Sequence, residues 1–70
     1  MGDHQGLKNE LKAHRIAMEL TQAELASKVQ VSRKTINTVE NGVFIPSTIL
    51  SLKLARALGV GVEDLFQLPD

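Results

Sequence analysis

The chain of 70 residues has no cysteine, tryptophan or tyrosine, and Phe44 and Phe66 are its two aromatic side chains. Without cysteine there can be no disulfide framework, no thiolate metal site and no cysteine nucleophile, so packing alone must hold the fold. With so few aromatics the core must be aliphatic, drawn from ten Leu, six Val, six Ala and four Ile. No apolar run approaches the roughly 18 residues of a membrane-spanning helix, and the first six residues are too polar for a signal peptide. The length suits one domain over 1–70, since a second core becomes expected only near ~100 residues. These absences lead us to expect a soluble cytoplasmic domain; Met1 argues for a natural start, while Leu68-Pro69-Asp70 is compatible with either an end or a cut.

Net charge is also missing: eight basic side chains balance eight acidic ones. Taken alone, this speaks against nucleic acid, whose phosphates are neutralised by Lys and Arg. The distribution says otherwise. Residues 1–56 carry eight basic and five acidic groups, net +3, while 57–70 carry Glu63, Asp64 and Asp70 and nothing basic, net −3. Between Glu24 and Glu40 the charges are Lys28, Arg33 and Lys34 alone. With little overall positive field, non-specific DNA affinity should be weak and its salt dependence shallow, leaving base contacts a larger share of any binding.

Apolar residues recur at helical spacing and no stretch alternates with period two, which predicts five short helices in an all-α domain. The first covers about 6–18, with Leu7, Leu11 and Met18 in one row and Ile16 and Leu20 beside them. Thr21, with Glu24 three residues on, has the spacing of a capping box and opens a helix from about Gln22 to Val29. Ser32 caps a third helix from Arg33 to Glu40, which Asn41-Gly42 stops because both tolerate left-handed dihedrals. Ser47 caps a fourth to Leu58, with Leu50, Leu54, Leu58, Leu52 and Ala55 inward and Gly59 closing it. A fifth runs from Gly61 to Phe66, with Glu63 and Asp64 where the helix dipole favours acids. Residues 1–5 are expected to be a flexible lead and 67–70 a tail.

The informative segment is Thr21 to Gly42, TQAELASKVQVSRKTINTVENG. Its two helices are joined by a turn too short for antiparallel packing, so they must cross steeply, as in a helix-turn-helix. Val31, Ile36 and Val39 face inward, leaving Arg33, Lys34, Thr35, Asn37 and Thr38 on an exposed face suited to a DNA major groove. Arg can bond guanine and Asn adenine in bidentate fashion, and a Thr methyl can meet a thymine methyl. Ser32 stands at the helix N-terminus, which attracts phosphate.

The segment resembles the Cro/repressor-type, Xre-like helix-turn-helix family. The resemblance covers about Leu7 to Phe66, because TQAELA, VSRKTINTVENG, PSTILSLKLARALGV and VEDLF are similar to the family's successive elements, in order and without gaps. It implies a compact five-helix lambda-repressor-like DNA-binding domain acting as a homodimeric transcriptional regulator, a repressor, on a palindromic operator. By position, Arg33, Lys34 and Thr38 match base-contacting residues, with Thr35 and Asn37 as secondary candidates. Gln22 and Asn41 match phosphate-contacting positions, Gln22 also bracing a recognition side chain. Arg15 and Glu40 match a structural ion pair. Departures are Gln30 where the family usually has glycine, His14 where many relatives have leucine, and Met18-Glu19 in place of a basic-glycine pair.

Phe44, Ile45, Ile49 and Leu50 are the most apolar cluster outside the motif and, with Leu65 and Phe66, are the expected dimer interface. His4 and His14 lie ten residues apart with no acidic cluster at ligand spacing, so no metal is expected. Nor is any cofactor, because there is no Gly-rich phosphate loop. There is no Ser-His-acid order, and adjacent Glu63 and Asp64 point apart, so an enzyme, such as a small hydrolase, is not expected. Two alternatives to a self-sufficient regulator are a protein-interaction module, such as an antitoxin or adaptor, and the DNA-binding head of a longer ligand-responsive regulator.

Overall fold

A computed structural model describes residues 7–69 of the chain. The elements follow in the order β1 (Lys8–Asn9), α1 (Leu11–Ala17), α2 (Gln22–Val29), α3 (Arg33–Glu40), α4 (Thr48–Leu58), α5 (Val62–Leu65) and β2 (Phe66–Gln67). His4 and the expected flexible lead lie outside the described residues, as does Asp70.

Three helices start at an N-cap residue whose own side chain satisfies an orphan N–H group. Thr21 accepts from the Glu24 N–H at 3.0 Å while the Glu24 carboxylate accepts from the Thr21 N–H at 2.8 Å. Ser32 and Ser47 accept from Thr35 and Leu50 at 3.1 and 3.0 Å. Each cap contributes about 1 kcal/mol.

Helices α1 to α4 all end in one way. A left-handed residue, Glu19, Gln30, Gly42 or Gly59, breaks the helix. The next N–H, of Leu20, Val31, Val43 or Val60, then reaches back five residues to the carbonyl of Arg15, Ala26, Thr38 or Ala55. This is the Schellman pattern, which usually folds an apolar side chain back onto the helix it has just closed. Leu20, Val31 and Val60 do pack against the core; Val43 instead is 71% exposed.

The core gathers Leu11 from α1, Leu25, Ala26 and Val29 from α2, Ile36 and Val39 from α3, and the Leu50, Leu54, Ala55 and Leu58 stripe of α4 against Leu65 and Phe66. At roughly 1.5–3 kcal/mol for each large apolar side chain removed from water, these residues dominate the stabilisation. No helix among the described residues is long and apolar enough to cross a membrane.

Several expectations need correction. The first helix starts at Leu11 instead of near residue 6, because the Asn9 carboxamide accepts from the Leu11 N–H at 2.9 Å and the Glu10 N–H turns to the Leu65 carbonyl. Lys8 and Asn9 instead pair antiparallel with Gln67 and Phe66, adding a small clasp to the helical fold. Phe66 leaves the fifth helix for that clasp, and Gln67 is part of it rather than of a tail. Met18 lies past the end of α1 and is half exposed, as is Ile16, since Arg15 takes the inward position beside Leu11. Leu52 is exposed because, at about 100° per residue, it points some 200° away from Leu50.

Candidate nucleic-acid interface

The turn Gln30 to Ser32 sets α3 across α2, its most extensive helix neighbour. Ile36 and Val39 hold α3 down and are fully buried. Its remaining side chains divide into two flanks.

On one flank, Arg15 and Glu40 form the predicted ion pair. Arg15 Nε donates to Glu40 Oε2 at 2.6 Å and Nη2 to Oε1 at 3.3 Å, while Nη1 donates to the Leu20 carbonyl at 2.8 Å. The Glu40 side chain is only 2% exposed, and among the described residues this is the one ion pair within 4 Å. Glu40 Oε1 also accepts from Gln22 Nε2 at 3.0 Å. That bond fixes which end of the Gln22 amide faces outward: Oε1 accepts from Arg33 Nη1 at 3.2 Å. A chain of hydrogen bonds thus runs from the buried Arg15 to the exposed Arg33 and leaves much of the Arg33 guanidinium edge free. Arg15 itself is buried, yet no buried side-chain polar atom among the described residues lacks a partner. Asn37 and Asn41 lie further along, joined by a 3.2 Å bond from Asn41 Nδ2 to Asn37 Oδ1.

The other flank is a shallow cleft of about 370 Å³ lined by Ser32, Lys34, Thr35, Thr38, Val43 and Phe44. The Val43 and Phe44 N–H groups both donate to the Thr38 carbonyl, at 3.0 and 3.2 Å, which pins the loop after α3 against the helix. The threonine hydroxyls are engaged internally, Thr35 with Ser32 at 3.0 Å and Thr38 with the Thr35 carbonyl at 2.9 Å. Each threonine hydroxyl thus already has a partner within the chain, and the lining of the cleft is mostly apolar.

All five expected base-contacting residues therefore lie on one helix, with Arg33, Lys34, Thr35 and Thr38 on or beside its open face and Asn37 toward its end. Gln22 joins them from the start of α2. The expected dimer cluster comes apart. Leu50, Leu65 and Phe66 are core residues, and Leu65 is fully buried, because α5 folds back onto α4. Phe44 lines the cleft, leaving Ile45 and Ile49 outward, with Leu52 beside Ile49 one helical turn on. Sequence reasoning passed over Asn9, whose Nδ2 donates to the Val39 carbonyl and ties the clasp to the end of α3. The run Val43 to Pro46 is too apolar for an ordinary loop, yet sequence reasoning gives Val43 itself no role. Val43 follows a glycine-closed helix as Val60 does, a signal that was available.

A helix-turn-helix family model matches residues 11–65, the span from the first core leucine of α1 to the last of α5. The chain belongs to the Xre-like helix-turn-helix family. Among its helix-turn-helix relatives, an uncharacterized HTH-type transcriptional regulator of Methanocaldococcus jannaschii is 47% identical over 60 residues, covering 86% of this chain and 91% of the relative. One of Methanothermobacter thermautotrophicus is 46% identical over 61 residues, covering 86% and 88%. One of Bacillus subtilis is 34% identical over 64 residues, covering 91% and 97%. These family members are named as regulators, not enzymes, and among the described residues no group of three His, Asp or Glu could hold a metal ion.

Proposed function

We propose that the chain is a DNA-binding transcriptional regulator, a repressor, that reads the major groove with α3. The observation that carries this reading is the bracing of Arg33. A surface arginine on a helix ordinarily samples many rotamers, whereas this one is held through Gln22 by a buried ion pair. Orientation in advance lowers the entropic cost of a bidentate contact to guanine. Lys34, Thr35, Asn37 and Thr38 complete the reading face. Gln22, Ser32 and Asn41 flank it and serve the phosphates.

The regulator works as a homodimer. Ile45, Ile49 and Leu52 are 39%, 68% and 56% exposed, an apolar strip on a small monomer with no internal use for it. A second copy packed on that strip by two-fold symmetry places two α3 helices in successive major grooves, reading half-sites about 10 bp apart.

Selection of binding sites from random duplex DNA tests the reading. An inverted repeat with half-sites about 10 bp apart, bound far better than scrambled duplex in a shift titration, is the expected result. No enrichment over the starting pool overturns DNA reading. Ile49→Glu should convert a sedimenting dimer into monomer; an unchanged dimer excludes the strip as the interface.

A further inference from the structure

Val43 and Phe44 have no base-reading role so far, yet they share a cleft with the reading face. Four helices close by the same left-handed device, and in three of them the apolar residue after it packs against the core. At α3 that residue, Val43, has no core beneath it and is 71% exposed. Its position is not loose. Two N–H groups bonded to one carbonyl of α3 hold Val43 and Phe44 beside Thr35 and Thr38. Those threonines have their hydroxyls engaged within the chain, so the cleft offers methyl and aromatic surface where a loop beside DNA would usually offer hydrogen-bond donors. Lys34 stands at its edge and supplies the one positive charge among its lining residues.

In the major groove, the apolar group on a base edge is the thymine 5-methyl. We propose that the cleft formed by Thr35, Thr38, Val43 and Phe44 takes the 5-methyl edge of a thymine in each half-site, which makes Val43 a specificity-determining residue. The inference rests on the DNA-reading function proposed above and adds a base preference on the flank of α3 that Arg33 does not reach. Lys34 lies over the adjacent phosphate or base edge, and the loop contributes shape where it lacks charge.

The experiment replaces the thymines of a selected operator one at a time by deoxyuridine, which removes the methyl and leaves base pairing intact. For the native protein, one position in each half-site should lose about fourfold in affinity per half-site, the worth of one buried methyl. Val43→Ser should bind the thymine site less well and lose almost all discrimination between thymine and uracil there. Phe44→Leu, which keeps an apolar wall, should retain part of it. Since Val43 is exposed, Val43→Ser is expected to melt as the native protein does, and its dimer mass is checked alongside.

An operator without an invariant thymine in each half-site overturns the proposal. So does a uridine scan that is flat throughout, or one whose loss is equally large in Val43→Ser. In each case sequence-specific binding survives and only the methyl contact falls. If no DNA sequence is selected at all, the DNA reading fails and takes the methyl contact with it.

Discussion

The two flanks of α3 are built by different means. Toward Arg33, position is fixed by charge: a carboxylate with 2% of its side chain exposed holds one arginine directly and another through a glutamine. Toward Val43, position is fixed by the main chain, with a loop hung on a single carbonyl and the Val43 side chain exposed. The first arrangement is directional, and it is costly to disturb because removing one partner strands a buried charge. The second tolerates substitution, because its side chains meet little within the chain. A single helix thus has one flank anchored on a buried charge and one whose side chains can change at little cost to stability.

Removing the Glu40 carboxylate tests that contrast most severely. Glu40→Ala should cost about 3–5 kcal/mol, a large part of the stability of a domain this small, read as a shift in the urea unfolding midpoint. Arg33→Ala, at the other end of the same hydrogen-bonded chain, should leave unfolding within about 0.5 kcal/mol of native. It should instead cost about 1–3 kcal/mol of operator affinity and relax the preference at one base pair. Equal losses on operator and random duplex would remove Arg33 from base reading. Gln22→Ala combined with Arg33→Ala should fall short of additivity in operator binding by at least about 0.5 kcal/mol, because each alone breaks the same link.

On the methyl flank, the comparison is between equivalent valines. Val60→Ser should destabilise by about 1–2 kcal/mol, since that side chain packs on the core, whereas Val43→Ser should change stability by less than about 0.5 kcal/mol. A similar cost at both positions would mean that Val43 has a structural role after all. An effect of opposite sign is expected at the left-handed closure before α3. Gln30 holds φ near 64°, and Gln30→Gly should raise stability by about 0.5–1 kcal/mol in thermal melting. A fall would show that the side chain contributes more than its backbone strain costs.

Much of this arrangement is legible in residue order, where the cause is local. Thr21, Ser32 and Ser47 announce their helices because a cap needs only three residues to act. The left-handed geometry of Gln30 is suggested only by resemblance to the family, which usually has glycine at that position. The Arg15–Glu40 pair is legible only through family resemblance, since nothing in the spacing of two residues 25 positions apart forces them together. What stayed hidden depends on a third element. Val43 and Val60 have the same local context, a closing glycine followed by valine, and only the packed chain decides which has a core beneath it. The clasp was invisible because two-residue strands are too short to alternate. The separation of Leu52 from Leu50 is legible in the sequence, because helical phase sets them some 200° apart.

The clasp between Lys8–Asn9 and Phe66–Gln67 has a topological consequence. It brings the two extremities of the described chain to one edge of the molecule, with Lys8 opposite Gln67. A short linker could join them there without crossing α3. Anything attached at either extremity sets out from the same place. A fused partner would sit at a similar distance from α3 whichever end carried it.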